Sequence, residues 1–258
     1  MQPKISTVIP SFNKAKYIRQ TLDSIFLQKY PNLEVIIQDG GSTDGTLKII
    51  KAFAKKYPKE IKWESKKDKG QLDAINKGLS KASGEILAYI NADDVYTKEA
   101  FCEVAKAYKK NPNVLWFAGR GRIINAKGKE IAKFVTSYKN LFLAFNSFFF
   151  LLIVNYLMQP SVFISRKAYK KYGPFTGMKR AVMEYDLWLK LARVSMPVVF
   201  DKYLTGFRMS GENISTRYFL EILEADGEIA KKYTNSNVIL ILHKLHNILR
   251  KVWGANLH

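Results

Sequence analysis

Carboxylates stand at three places where an apolar run gives way to a turn or a helix, and their types and spacing suit catalysis. The sequence Asn91-Ala92-Asp93-Asp94 follows the run Ile86 to Ile90. Adjacent carboxylates repel unless a cation or solvent separates them, and hard divalent ions that bridge phosphates are held by one or two carboxylates. The pair reads as a metal site, with a cap for the helix expected from Lys98 as the competing reading. A second group, Gln38-Asp39-Gly40-Gly41-Ser42-Thr43-Asp44-Gly45-Thr46, follows Val35 to Ile37. A carboxylate delivered into a glycine-rich turn suits a nucleotide, because glycine lets the backbone come close while Asp39 accepts from a base or ribose donor. A plain turn with a helix cap at Thr46 uses the same residue types. The third, Glu184-Tyr185-Asp186-Leu187-Trp188, opens a helix in a stretch with eight basic residues between Arg166 and Arg193. A carboxylate there suits a general base, although acids also complement a helix N-terminus without doing chemistry.

The elements that must position these groups alternate. Strand-like Ile5 to Ile9 precedes a helix with Ile18, Leu22, Ile25 and Phe26; Val35 to Ile37 precedes one with Leu47, Ile50 and Phe53. Ile61 to Trp63, a helix with Leu72, Ile75 and Leu79, the run Ile86 to Ile90 and a helix from Lys98 to about Lys110 continue the rhythm. This predicts an α/β fold, a mostly parallel sheet with helices on both faces and ligands at the carboxyl ends of its strands. Beyond about residue 114 the rhythm loosens into two short runs, Leu115 to Ala118 and Ile123 to Asn125, and an uncharged segment, Leu141 to Met158. Thr216 to His258 reads as two helices. In the second, Val238, Ile241, Leu242, Leu245, Ile248, Leu249 and Val252 recur at helical spacing, and no acid occurs after Glu228.

Composition narrows the function classes. A chain of 258 residues with 47% hydrophobic residues folds, and neither disorder nor a multi-spanning membrane protein fits. Cys102 is the single cysteine, so no intrachain disulfide forms and a reducing compartment is the simpler setting. Forty-two Lys+Arg against 22 Asp+Glu leave +20, which calls for an anionic partner. The basic residues are scattered, as in Lys48 to Lys69, and form no nucleic-acid motif, so a membrane face or a phosphorylated substrate is expected and nucleic acid is not. No long apolar stretch precedes Ile5, so no secretory signal is expected and the setting is read as cytoplasmic.

Order and spacing together resemble the family 2 glycosyltransferases, inverting enzymes of the GT-A fold. The resemblance rests on Thr7-Val-Ile-Pro-Ser-Phe-Asn13, Asp39-Gly-Gly-Ser-Thr-Asp-Gly-Thr46, Asp68-Lys-Gly-Gln71, Asp73-Ala-Ile-Asn-Lys-Gly78, Asn91-Ala-Asp-Asp-Val-Tyr96, Gln159-Pro-Ser-Val-Phe163 and Glu184-Tyr-Asp-Leu-Trp188. It implies a GT-A type, Rossmann-like catalytic domain over 1–212 and a C-terminal helical extension over 213–258. It implies transfer from a nucleotide-diphosphate sugar, UDP foremost, with Mn²⁺ or Mg²⁺ bound at Asp94 and Asp93 in support. Pro10, Phe12, Asn13, Asp39 and Asp68 are implied around the nucleoside. On the usual Glu-Asp-x-Asp-Leu-Trp pattern, Met183 stands where Glu is common and Glu184 where the catalytic Asp stands; Glu184 becomes the base and Asp186 the reserve. Two departures stand out. Asp39-Gly40-Gly41-Ser42 replaces the frequent Asp-Asp-Gly-Ser, and the element that often supplies a metal-ligating His reads Gly206-Phe-Arg-Met-Ser-Gly211. Met209 is too soft for Mg²⁺ or Mn²⁺, so metal affinity without donor phosphate is expected to be weak.

Leu141 to Met158 approaches the roughly 20 residues a membrane span needs. A crossing there would separate the metal site from Glu184, so the segment is expected either in the core or as an interfacial patch near the acceptor. The terminal helix, with Lys244, Arg250 and Lys251 beside its apolar stripe, suits an anionic leaflet or packs as an ordinary helix. The resulting expectation is peripheral attachment to the inner face of the cell membrane and a glycan or lipid-linked acceptor. His243 and His246, one turn apart, are read as surface residues. A catalytically inactive nucleotide-sugar-binding protein or a nucleotidyltransferase would share Asp39 and Asp94; only the transferase needs a base at Glu184 facing an acceptor groove.

Overall fold

The computed structural model describes residues 1–177, 182–210 and 218–254; Lys179, Arg180, Gly211 and the expected start of the extension at 213–217 lie outside the described residues. One eight-stranded sheet is built from β1 (Ile5–Ser11), β2 (Leu33–Asp39), β3 (Ile61–Ser65), β4 (Ile86–Tyr89), β5 (Val95–Tyr96), β6 (Trp116–Ile124), β7 (Val162–Ser165) and β8 (Val198–Arg208), in the order β3-β2-β1-β4-β7-β6-β8-β5. The first four strands in that order run parallel, as do β6 and β8, whereas β7 is antiparallel to β4 and β6 and β5 to β8. Every residue of β1 and β2 is buried, as expected of central parallel strands covered on both sides.

Helices cover both faces. On one lie α1 (Ile18–Phe26), α2 (Thr46–Lys56) and α4 (Ala100–Lys110), which bury Leu22, Ile25, Ile50, Phe101 and Val104 against Ile9 and Val35. On the other, α3 (Gln71–Lys81), α5 (Lys133–Phe145), α6 (Phe148–Val154), α7 (Arg166–Tyr172) and α8 (Met183–Ala192) contribute Ile75, Leu143, Leu151, Ala168 and Trp188. Each buried Val, Leu, Ile or Phe side chain among them contributes about 1.5 to 3 kcal/mol. The last two helices are α9 (Phe219–Lys231) and α10 (Asn237–Gly254).

Three expectations need correction. The two short runs after residue 114 belong to one strand, β6; between them Gly119-Arg120-Gly121 carries no apolar signal, and the pairing with β8 slips in register there. A Cβ on Gly119 would lie 2.3 Å from Leu204 Cγ and one on Gly121 2.4 Å from Met158 Sδ, so close packing demands glycine at both positions. The segment Leu141 to Met158 divides between two destinations: Leu143, Leu151 to Val154 and Tyr156 to Met158 are core, while Leu141, Phe145 and Phe149 are exposed. No helix among the described residues is long and apolar enough to cross a membrane. Finally, His243 and His246 are not surface residues of α10, and Arg250 does not flank its apolar stripe. His243 is 3% exposed, with Nδ1 2.7 Å from the Leu152 carbonyl, and Arg250 Nη1 donates to buried Asp226 at 2.8 Å.

Candidate active site

The carboxyl ends of β1 and β2 meet in one turn. The backbone N–H of Asn13 donates to Ser42 Oγ (2.8 Å) and that of Thr43 to Asn13 Oδ1 (2.9 Å), so each loop fixes the other. Asn13 sits at φ 51°, a left-handed conformation that Asn tolerates better than most residues. Asp39 is 2% exposed and accepts from Gly41 N (3.1 Å), Ser42 N (2.8 Å), Ser42 Oγ (2.5 Å) and Ser65 Oγ (2.7 Å). Its carboxylate therefore holds the turn shut. Gly40 lies between Phe12 and Asp68: a Cβ there would come 3.0 Å from Asp68 Oδ2 and 3.3 Å from Phe12 Cδ2. The frequent Asp of the related motif would have to displace one of them. A cavity beside this turn is lined by Gln38, Asp39, Glu64, Lys66, Asp68 and Lys77. Phe12, Asn13, Asp39 and Asp68 are thus brought together, with the Phe12 ring largely exposed, whereas Pro10 is buried within β1, paired with Gln38.

The strand β4 runs into the second group. Gln71 Nε2 donates to Asn91 Oδ1 (2.6 Å), and Asn91 Nδ2 donates to Asp94 Oδ2 (3.2 Å). Asp94 Oδ1 accepts from the backbone N–H of Arg208 (2.7 Å), and the Asp94 carbonyl from Thr21 Oγ1 (2.7 Å). Burial, then the neighbouring Asp93 charge, push the Asp94 carboxyl well above its ordinary range despite these donors. Asp93 Oδ2 forms an ion pair with Lys14 Nζ at 2.6 Å, and among the described residues Asp93 Oδ1 takes no donor. Arg208, 1% exposed, pins this turn from behind: Nε donates to the Asp93 carbonyl (2.6 Å), Nη1 to the carbonyls of Asn125 and Ala126, and Nη2 to Gln20 Oε1. Met209 continues the chain from that arginine and its N–H joins β6 at Ile124.

Two adjacent carboxylates, one oxygen open and one group destabilised by the other's charge, fit a hard divalent cation. Among the described residues no third His, Cys, Asp or Glu joins them. Such an ion would draw its remaining ligands from phosphate oxygens and water, as Mg²⁺ commonly does.

The third group approaches β4 from α8. Val182, at φ 92°, turns the chain into that helix in a conformation β-branched residues rarely adopt. Glu184, in the first turn, then lies against the strand, and the Tyr89 hydroxyl donates to Glu184 Oε1. Burial raises the Glu184 carboxyl above its ordinary value, and the Tyr89 bond partly opposes that rise. Tyr89 is itself held protonated, its pKa pushed far up by burial and by the Glu184 charge, so it remains a donor. Gln159 of the Gln-Pro-Ser-Val-Phe element donates to the Tyr89 carbonyl at 2.8 Å and holds the strand end from the other side. Asp186 is not brought to this group. It accepts from Thr176 Oγ1 (3.1 Å), Tyr233 OH (2.9 Å) and Lys190 Nζ (2.7 Å), and these partners lower its pKa against the effect of burial.

Sequence reasoning missed Tyr89, Lys14 and Arg208. Lys14 adjoins the Asn13 motif and Arg208 lies inside the Met209 element, so position alone could have flagged both; Tyr89 is hidden in an apolar run.

Residues 6–173 match the family described as Glycosyl transferase family 2, well over half of the chain, and the chain belongs to that family. It is a glycosyltransferase by that membership, and its relatives carry the same description. It is 25% identical over 255 residues to an uncharacterized glycosyltransferase of Rickettsia typhi, covering 97% of this chain and 79% of that one. A relative from Rickettsia felis is 27% identical over 202 residues, and the match spans 33% of its length. A Methanococcus voltae protein named as a dolichyl N-acetyl-α-D-glucosaminyl phosphate diacetamido-dideoxy-glucuronosyltransferase is 38% identical over 144 residues, 52% of this chain and 44% of that one. Among solved structures, a mannosyltransferase from Pyrobaculum calidifontis in complex with GDP-Man and Mn²⁺ matches with a TM-score of 0.71 and 18% identity, covering 98% of this chain and 72% of that one. S. aureus TarS 1–349 in complex with UDP-GlcNAc matches at 0.65 and 19%, covering 94% and 71%. The mixed eight-stranded sheet is that of the GT-A glycosyltransferases.

Proposed function

We propose that this chain is an inverting glycosyltransferase that moves a sugar from a nucleotide-diphosphate sugar to a hydroxyl of a glycan or lipid-linked acceptor. The observation that carries the reading is Glu184, held by Tyr89 on the strand that runs directly into Asp93 and Asp94. In this reading Phe12, Asn13, Asp39 and Asp68 shape the nucleoside pocket, and Asp93 and Asp94 hold a divalent cation, Mn²⁺ or Mg²⁺. The cation supplies Lewis-acid neutralisation of charge on the diphosphate. Glu184 accepts the proton of the acceptor hydroxyl as that oxygen bonds to the anomeric carbon and the bond to the diphosphate breaks, which inverts the centre in one displacement. Burial raises its pKa, the direction that makes a carboxylate a stronger base.

UDP is the first donor to test; the likeness to complexes named for UDP-GlcNAc and GDP-Man keeps both bases in the panel. A dolichyl phosphate sugar in the name of one relative favours a lipid-linked acceptor met at the inner face of a membrane. Glu184→Gln is expected to keep donor binding and lower turnover by about 100-fold or more; near-normal turnover would remove Glu184 from the role. Asp93→Asn is expected to abolish Mn²⁺-dependent donor binding measured calorimetrically, and equal affinity with and without chelator in the unsubstituted chain would remove the cation. Nucleotide-sugar binding with no transfer to any acceptor would favour an inactive binding protein.

A further inference from the structure

The helix α10 is built inside out. Its inward stripe, Ile239, Leu240, His243, His246, Asn247 and Arg250, is mostly polar, while Val238, Ile241, Leu242, Leu245, Ile248 and Leu249 face outward and are exposed. The inward polar groups are matched except at His246, whose Nε2 is buried without a hydrogen-bond partner among the described residues while its ring meets Tyr138 edge-on at 6.1 Å. His243 Nδ1–H donates to the Leu152 carbonyl of α6, and Asn247 Nδ2 lies 3.0 Å from both His243 Nε2 and the Leu223 carbonyl of α9. Arg250 pairs with Asp226, which also accepts from Asn155 Nδ2 (3.3 Å). Burial holds His246 neutral, its pKa pushed down to about 3. A soluble helix normally turns its apolar stripe toward the core; here the protein spends polar contacts on docking and leaves the apolar stripe outside.

The surface continues onto the neighbouring helices. Leu141 and Phe145 of α5 and Phe149 of α6 are exposed, and Phe150 meets the Phe145 ring at a tilt and the Phe149 ring edge-on (5.3 and 5.4 Å between ring centres). Exposed apolar side chains gathered on helices that pack against one another mark a contact with a partner or a membrane. Charge decides between them. The only charged side chains exposed on α10 are Lys244 and Lys251, no acid follows Glu228, and the chain carries +20. A second copy would set cation against cation, whereas an anionic leaflet accepts both the apolar stripe and the lysines.

We infer that the outward face of α10, with Leu141, Phe145 and Phe149, is a lipid-docking surface that seats this chain on an anionic bilayer without crossing it. The helix beneath α10 is tied to the one that carries the base: the Tyr185 hydroxyl of α8, next in the chain to Glu184, donates to the Leu151 and Leu152 carbonyls of α6 (2.9 and 3.1 Å), and the same Leu152 carbonyl accepts from His243 of α10. This deepens the proposed function by assigning the face through which a lipid-linked acceptor is met, and rests on that reading only for the acceptor.

The test is flotation of the full chain with vesicles of equal parts phosphatidylcholine and phosphatidylglycerol, and with phosphatidylcholine alone. Binding is expected on the mixed vesicles and to weaken with salt. The triple variant Leu245→Gln, Ile248→Gln, Leu249→Gln is expected to lose at least about tenfold in partition with its thermal unfolding little changed, because the replaced side chains are exposed on the outward face. Lys244→Gln with Lys251→Gln is expected to lose about tenfold or more on the mixed vesicles and little on phosphatidylcholine alone. An unsubstituted chain that stays soluble with both vesicles overturns the inference, as does a triple variant that floats as well as the parent. A dimer in analytical ultracentrifugation that the triple substitution dissociates also overturns it. Glu184→Gln is expected to float like the parent. Flotation without sugar transfer would count against the enzymatic reading alone, and transfer without flotation against this surface alone.

Discussion

Replacing Tyr89 with Phe isolates the environment of the proposed base, because it removes one hydroxyl and leaves the packing of a residue 4% exposed. The lost interaction is a hydrogen bond to a carboxylate, and bonds to charged groups contribute about 1.5 to 3 kcal/mol. That bond favours the ionised carboxylate over the protonated one, so loss of the donor raises the Glu184 pKa further. The base works ionised, so its activity is present above its pKa and lost as pH falls through it. The acid limb of the kcat/KM profile should therefore move to higher pH in Tyr89→Phe, with the alkaline plateau near that of the parent. The assay is release of nucleoside diphosphate across the pH range at saturating Mn²⁺, with calorimetry confirming unchanged donor affinity. A uniform fall in rate at every pH with the limb unmoved would refute this reasoning, since Tyr89 would then act on substrate or cation.

The Lys14–Asp93 ion pair occupies a carboxylate oxygen that a cation would use, so Lys14→Met is expected to tighten Mn²⁺ binding without nucleotide by about tenfold, read by electron paramagnetic resonance; unchanged affinity would show that Lys14 does not compete. At the opposite end of the sheet, Glu34 is buried, yet bonds from Lys62, Ser6 and Ser83 outweigh desolvation and hold it at about 2 against the usual 4.5. This contributes about 3 kcal/mol of stability, present above the unfolded-state value and lost as pH falls from about 4.5 to about 2. Glu34→Gln should thus lower the melting temperature near neutrality and flatten its fall in that acid window, without altering donor affinity; parallel melting curves for the two chains would dismiss the role.

The alternation of strand and helix as far as Lys110 was legible because central parallel strands bury both faces and the helices beside them are amphipathic. After that, periodicity failed for identifiable reasons. The glycines of β6 are required by close packing and leave no hydrophobic mark, and α5 and α6 are apolar on faces both buried and exposed. The carboxylates of the site were legible because several modest motifs follow one another in order at the ends of apolar runs, each ambiguous by itself. Their partners were not. The contact of Tyr89 with Glu184 joins positions 95 residues apart, and Arg208 reaches the Asp93 turn across 115. The direction of α10 was also out of reach: an amphipathic stripe says which residues share a side, and only the buried acceptors at Leu152, Leu223 and Asp226 say which side turns in.

On the proposed reading, the cation carboxylates and the tyrosine that holds the proton acceptor of α8 in place stand on one uninterrupted stretch, Tyr89 to Asp94, braced by Gln159 at its start and Arg208 at its end. That stretch works as a ruler. A bulkier sugar cannot be admitted by spreading its two ends apart, so selectivity among donors must be written into the surrounding walls, and attempts to retarget the enzyme should leave these residues untouched.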